Sequence, residues 1–303
     1  MIVGITGATG FLGRYILAHF AARRHKLKAW YRLEHKHKCF DVGAPVEWLP
    51  GELGDPKTFG PLVEGCELVI HSALYHPAGG WSAGDDLLGF LQKNFMGTIG
   101  LIEAARRAAV RKFIFISSCA VHELVLQDRR LDETHPLYPK SHYGAHKAAI
   151  EAFVHSYALG RNFDICALRP AGIYGVACPV ENSKWYSLVR SIVRGETVNC
   201  QRGGKEVHAQ DVARAIELLA ASSETRGQVY NCDERYISDW EVARIAKQLS
   251  GSRSDIQGTK PSPRNVIDTS KLRALGMTFG GDELLNKTIQ ELVRHARSQA
   301  TSA

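Results

Sequence analysis

Tyr143 and Lys147, in the run Ser141-His142-Tyr143-Gly144-Ala145-His146-Lys147, have a spacing that suits proton chemistry. Residues four apart lie on one face of a helix. A free phenol loses its proton at about pH 10, too high for acid/base work at neutral pH. An ammonium one turn away favours the phenolate and lowers that value. The pair is therefore a candidate proton donor and acceptor for a carbonyl/alcohol interconversion. Because Tyr-x-x-x-Lys also arises by chance on helices, its meaning rests on a nucleotide site and a third hydroxyl.

A nucleotide site is readable at the start of the chain. A buried strand is expected over 2–5, followed at once by Thr6-Gly7-Ala8-Thr9-Gly10-Phe11-Leu12-Gly13 and a helix over 14–22. Leu12, Ile16, Leu17 and Phe20 give that helix its apolar set. Strand, glycine-rich turn and helix form the setting a dinucleotide fingerprint needs. Gly7 permits the tight turn, Gly10 lets backbone approach a pyrophosphate, and Gly13 lets the helix lie against the sheet. The helix N-terminus then offers N–H groups and a positive dipole end to the phosphates. The spacing is G-x-x-G-x-x-G rather than G-x-G-x-x-G.

With Tyr143-x-x-x-Lys147, this turn resembles the short-chain dehydrogenase/reductase superfamily. More narrowly, the chain resembles its extended group, the NAD(P)-dependent epimerase/dehydratase family, which acts largely on nucleotide sugars. Three further segments are similar to family motifs: Phe113-Ile-Phe-Ile-Ser-Ser118, Ala167-Leu-Arg-Pro-Ala-Gly-Ile-Tyr-Gly175 and His208-Ala-Gln-Asp-Val-Ala213. The resemblance implies that Ser118 holds the reacting oxygen near Tyr143, with Ser117 the competitor within a one-residue slip. It implies that Lys147 also reaches the nicotinamide ribose. His122 and Glu123 stand where the family's V-Y-G ending has tyrosine and glycine, so this loop is unusual.

The same resemblance implies cofactor contacts from Thr6, Gly7, Thr9, Gly10, Phe11, Leu12 and Gly13 in the turn. Tyr31, Arg32, Glu52 and Leu53 would lie by the adenosine, Glu52-Leu53 replacing the family's Asp-Leu. Ser72, Ala73, Asn94, Ile116, Ser117, Tyr143, Lys147, Arg169, Pro170 and Ile173 would complete the cofactor site. Substrate contacts would come from Trp81, Ser118, Tyr143, Gly172 and Trp185. Trp81 either stacks on a sugar or base or anchors its loop; Arg202 and Lys205 are nearby cations for a diphosphate. His142 and His146 either tune the tyrosine or are surface or interface histidines.

An acid at the tip of the second strand would hold the ribose 2′-hydroxyl of NAD. Here the strand reads Lys28-Ala29-Trp30-Tyr31-Arg32, and a guanidinium suits a phosphate. NADP is the favoured cofactor; Glu34 keeps NAD open.

These parts need a scaffold. The chain has 303 residues, 45% hydrophobic and 23% charged, as in globular proteins. Strands are expected over 27–32, 46–49, 68–72, 113–117 and 164–168, and helices over 94–110 and 143–159. Their alternation predicts an α/β fold, a doubly wound parallel sheet of Rossmann type. Ligands bind at the carboxyl ends of such strands. The resemblance adds a smaller C-terminal substrate lobe. It implies a dinucleotide-binding domain of 1–175 plus 206–232 and a lobe of 176–205 plus 233–303.

Seven scattered cysteines without C-x-x-C spacing suit reduced thiols, with no metal site and no disulfide framework. No apolar run is long enough to span a membrane, and a first strand starting at Ile2 leaves no room for a signal peptide. A cytoplasmic protein without membrane or nucleic-acid partners is expected. The net charge of +7 gathers at Arg23, Arg24, Lys26, Lys28, Arg32, Lys36 and Lys38. It fits a phosphate-bearing cofactor and a diphosphate substrate, or, at Arg23, Arg24 and Lys26, a solvated face.

The expected reaction couples hydride transfer to proton transfer by Tyr143 at a carbonyl or alcohol carbon of a small-molecule substrate. Family dehydratases carry carboxylates just after the catalytic Thr; Cys119 and Ala120 here disfavour elimination. Epimerisation or reduction of a nucleotide sugar or related molecule remains. NADPH-dependent aldehyde or ketone reduction is the alternative, and a non-catalytic dinucleotide-binding scaffold or sensor the second. Family analogy implies a homodimer through the Tyr143 helix, with Ala148, Ala149, Ile150, Phe153 and Val154 as apolar surface.

Overall fold

The computed structural model describes residues 1–32, 42–76, 86–261 and 264–301. Its strands are β1 (Ile2–Thr6), β2 (Lys26–Tyr31), β3 (Val46–Pro50), β4 (Leu68–His71), β5 (Lys112–Ile116) and β6 (Ile165–Pro170). Then come β7 (Gly172–Tyr174), β8 (Val198–Asn199), β9 (Gly203–His208), β10 (Val229–Cys232), β11 (Arg235–Ser238) and β12 (Ile256–Gln257). The helices are α1 (Phe11–Ala22), α2 (Phe59–Val63), α3 (Leu87–Leu91), α4 (Gly97–Arg107) and α5 (His142–Arg161). They continue with α6 (Tyr186–Val193), α7 (Ala209–Ala221), α8 (Asp239–Ser250), α9 (Ser270–Ala274) and α10 (Gly281–Thr301).

Seven parallel strands form the main sheet in the order β10-β6-β5-β4-β1-β2-β3. Val3, Ile5, Val69, Ile70, Phe113 and Phe115 have no exposed surface. Such unbroken apolar strands need helices on both faces, which the intervening α1, α2, α4 and α5 supply. The strand order reverses between β1 and β4, the crevice where a doubly wound sheet takes its ligand. This is the Rossmann-type architecture that the alternation predicted.

The chain divides into two compact units. The first comprises Met1–Pro170, Val212–Cys232 and Ile267–Met277. The second takes 171–211, 233–266 and the residues from 278 onward. Residues 171–175 and 206–211, expected with the sheet, thus go with the second unit. The segment around Asp268, expected in the lobe, goes with the first. Hydrogen bonds explain the return: the Asp268 backbone N–H donates to the Leu131 carbonyl at 2.9 Å, and Lys271 Nζ donates to the Val229 carbonyl at 3.0 Å.

In the second unit β11-β9-β7 form a small mixed sheet. Tyr174, Trp185, Val189, Val242, Leu285 and Ile289 form its core. Among the described residues no helix is long and apolar enough to cross a membrane.

Candidate active site

The glycine turn has the geometry its sequence requires. Gly7 has φ +70°, and a Cβ there would stand 2.7 Å from the Ala73 nitrogen. Gly7 therefore lets β1 and β4 converge at the crevice. A Cβ on Gly13 would lie 2.1 Å from the Gly7 carbonyl oxygen, so α1 rests directly on the turn. Gly10 caps α1 without a side-chain bond, and no acid occupies the first turn. The leading N–H groups of α1, including those of Phe11 and Leu12, thus have no side-chain cap and no first-turn acid among the described residues, as suits a phosphate site.

Thr6 anchors the turn from beneath. Its Oγ1 accepts from the Ala73 N–H at 3.2 Å and lies 2.6 Å from His71 Nδ1. His71 Nε2 is 2.8 Å from Thr98 Oγ1, which donates to the Asn94 carbonyl at 2.5 Å. Because Thr98 already donates, Nε2–H must donate to it, and the Thr6 hydroxyl is free to donate to a bare Nδ1, which suits a neutral imidazole. Burial agrees, pushing His71 down to about 3. Sequence reading placed His71 in a strand and gave it no role. Its partners lie 65 and 27 residues away.

The second half of the site is built on α5. Ser141 caps it, its Oγ accepting from Gly144 N at 3.0 Å. Tyr143, Lys147 and Glu151 then repeat at four-residue spacing. The Ser118 hydroxyl lies close enough to Tyr143 to act on its phenol. Lys147 Nζ donates to the Ile116 carbonyl at 2.7 Å and stands 4.5 Å above the Phe115 ring. Ser118 also caps a one-turn helix, Cys119–His122, through Ala120 N at 3.1 Å.

Ser117, the one-slip competitor, is buried and donates to Glu151 Oε1 at 2.5 Å. Of the two serines, Ser118 is therefore the one that meets the tyrosine. The expected lowering of the phenol is not found. Burial pushes Tyr143 above its ordinary value, with the Ser118 bond opposing it and Cys119 adding to it. Lys147 turns its ammonium to the Ile116 carbonyl and stays 5.8 Å from the Tyr143 ring centre, so desolvation wins. Burial also pushes Lys147 down to about 7, against the pull of Glu151.

A model of the NAD dependent epimerase/dehydratase family matches residues 3–233. The chain belongs to that family. It is 29% identical over 237 residues to a 4-hydroxy-2-methyl-3-oxo-4-farnesyl-3,4-dihydroquinoline-1-oxide ketoreductase of Stigmatella aurantiaca. That match covers 75% of this chain and 66% of the relative, just under two thirds of its length. The fold is similar to the UDP-glucose 4-epimerase of Thermus thermophilus in complex with NAD, with TM-score 0.78, 25% identity and coverage of 98% and 99% of the two chains. It is also similar to RMD from Pseudomonas aeruginosa complexed with NADPH, with TM-score 0.75, 20% identity and coverage of 98% and 99%. This epimerase/dehydratase family member is an enzyme of the short-chain dehydrogenase/reductase type, and its cofactor is a nicotinamide dinucleotide.

Several residues assigned to ligands in the sequence do other work in this enzyme. Asn94, in a π turn over Gln92–Met96, clamps a loop: Oδ1 accepts from Tyr75 N and Nδ2 donates to Tyr75 O, both at 2.7 Å. A third bond reaches the Phe90 carbonyl at 3.1 Å, so both Asn94 amide hydrogens are committed within the protein and only an Oδ1 lone pair remains. Arg169 is buried in a two-pronged ion pair with Glu151, at 2.9 and 2.7 Å. Its guanidinium is a structural cation. Leu53 packs in the core, while Glu52 and Arg32 are exposed and Tyr31, Thr9, Ser72 and Ala73 half-buried. Ser72 Oγ donates to the Thr6 carbonyl at 2.7 Å.

Gly172 and Ile173 belong to β7 in the second unit. Trp185 is 6% exposed and packs on Tyr174 at 5.1 Å, which makes it a core residue. Trp81 and Glu34 lie outside the described residues. Ile150 and Val154 are fully buried, so of the apolar surface expected on α5 they face the core, while Phe153 is exposed. His142 is exposed, but His146 is buried at 3%, with no hydrogen bond to either ring nitrogen among the described residues.

Burial holds His71, His146 and His208 down, to about 3, about 3 and about 4, from an ordinary 6.5. Neutral in the fold, each takes up a proton on unfolding once the pH falls below 6.5. Stability is therefore complete above that value and declines as pH falls towards 3, by about 1.4 kcal/mol per histidine per pH unit. Urea unfolding should show a clearly lower midpoint at about pH 5 than at about pH 7.5. Equal midpoints would refute the linkage.

Proposed function

We propose that this enzyme transfers a hydride and a proton at a carbonyl or alcohol carbon, with Ser118, Tyr143 and Lys147 as its centre. The substrate in this reading is a nucleotide sugar or a related small molecule. The Ser118 hydroxyl acting on the Tyr143 phenol, beside a buried Lys147, carries it.

The bound dinucleotide supplies or accepts the hydride. Gly7, Gly10 and the open first turn of α1 would hold its pyrophosphate, since the turn leaves N–H groups and no acid there. Ser118 would hold the reacting oxygen against the phenol. Tyr143, its proton held firmly by burial, suits the donor role when a carbonyl is reduced. Lys147 would steady the growing negative charge on the phenol oxygen. Cys119 gives no help to elimination, because its thiol donates to the Arg169 carbonyl at 3.1 Å and Ala120 follows it.

A spectrophotometric screen of NADPH consumption across aldehydes, ketones and keto-sugar nucleotides tests this, with chromatography for epimerised sugars. Absence of both consumption and epimerisation would sink it. The ketoreductase relative supports a second reading, NADPH-dependent reduction of a non-sugar carbonyl, which the same screen separates.

NADP is the proposed cofactor because β2 ends in Tyr31-Arg32 with no carboxylate at its tip. Arg32→Ala should weaken NADPH at least about tenfold by fluorescence titration and leave NADH within about twofold. Equal affinity of the wild type for both would defeat the argument. Six described cysteines are free, supporting a reducing, cytoplasmic setting. A homodimer is supported by exposed Phe153 at 37% and Met96 at 51%, on α5 and just before α4. Sedimentation of Phe153→Glu would test it.

A further inference from the structure

We propose that His122 and Glu123 are positioning residues that fix Ser118 against Tyr143. This rests on the catalytic reading of those two residues. The one-turn helix Cys119–His122 is capped by Ser118 at its start and followed by Glu123 at its end. Its placement therefore sets where the Ser118 hydroxyl points.

Arg169 holds that turn at two points. The Cys119 thiol donates to the Arg169 carbonyl at 3.1 Å, and Arg169 Nη1 donates to His122 Nε2 at 3.1 Å. A guanidinium can only donate, so Nε2 must be the bare nitrogen and Nδ1 carries the proton. Nδ1 faces the Pro136 carbonyl at 3.4 Å. His135 shares that carbonyl at 2.8 Å, while its own Nε2 accepts from Leu126 N at 3.0 Å. The two imidazoles meet edge to face at 5.2 Å. His122 is thereby held in one tautomer between a cation and a carbonyl.

Glu123 ties the other end of the turn to α5. Its carboxylate accepts from the backbone N–H groups of Lys140 and Ser141 and from the Ser141 hydroxyl, the last at 2.8 Å. That hydroxyl in turn accepts from Gly144 N, next to Tyr143. A Cβ on Gly144 would fall 2.5 Å from the Ala120 carbonyl oxygen, so the turn and the start of α5 touch. The Ser118–Tyr143 separation is thus fixed from both sides. Displacements of about 1 Å or less at such a pair cost catalysis while leaving binding alone.

Four variants test this: His122→Leu, His122→Gln, Glu123→Ala and Glu123→Gln. His122→Leu and Glu123→Ala should each lower kcat about tenfold on the best carbonyl substrate of the screen, with KM and NADPH affinity within about twofold. Both glutamine variants keep an acceptor oxygen and should recover at least about half the wild-type kcat. Glu123 is exposed, so its variants carry the test should His122→Leu fail to fold. Crystal structures of the Ala and Leu variants should show the Ser118–Tyr143 hydrogen bond lengthened or lost. A kcat within twofold of wild type, or an intact hydrogen bond in both, overturns the proposal. A wild type that turns over nothing in the screen sinks the catalytic reading instead, and the crystallographic arm still decides the positioning.

Discussion

Tyr143→Phe is expected to lower kcat by about a thousandfold, the usual worth of a positioned general acid, while NADPH binds within about twofold of wild type. The phenyl ring keeps the packing of the phenol, whose ring centre lies 6.4 Å from that of His146, and the cation 5.8 Å away on Lys147. Only the hydroxyl goes, and with it the proton and the partner of Ser118. Steady-state kinetics and a fluorescence titration check the two halves separately. Turnover within tenfold of wild type would remove Tyr143 from the chemistry.

Glu151→Leu should be the most damaging change to the fold near the site. Glu151 and Arg169 side chains are 2% and 3% exposed. Removing one partner leaves a buried charge uncompensated, at a cost of about 3–5 kcal/mol. Arg169→Met leaves the opposite charge and should cost about the same. The double variant removes both charges, and its loss should fall well short of the sum of the singles. Urea unfolding of the three variants measures the coupling. Strictly additive losses, or single losses under about 1 kcal/mol, would show that the pair is solvated in solution.

The contrast between these residues explains how far the sequence was legible. Gly7, Gly10, Gly13, Tyr143 and Lys147 were readable because their meaning lies in local spacing on one turn or one helix face. The sheet followed from unbroken apolar runs such as Phe113–Ile116. Arg169 and Asn94 sit in motifs read as ligand-facing, yet both side chains are taken up by partners distant in sequence, Glu151 and Tyr75. Trp185 could stack or pack by type alone; the aromatic neighbour Tyr174 decides for packing. His71 escaped notice because its partners are two threonines in other elements and burial keeps it neutral. Ser118 was separable from Ser117 only once Glu151 was seen to claim the latter.

The Glu151–Arg169 pair also governs the order in which this region can come apart. Ser117 follows β5, Glu151 lies on α5 and Arg169 on β6, and their side chains meet in one buried cluster. Separating α5 from β6 strands a buried charge on each, and lifting the end of β5 costs Glu151 the Ser117 hydrogen bond, so partial opening is penalised at every step. Strand, helix and strand then behave as one cooperative block from the first step of unfolding. The proposed chemistry thus sits on a block that resists partial opening.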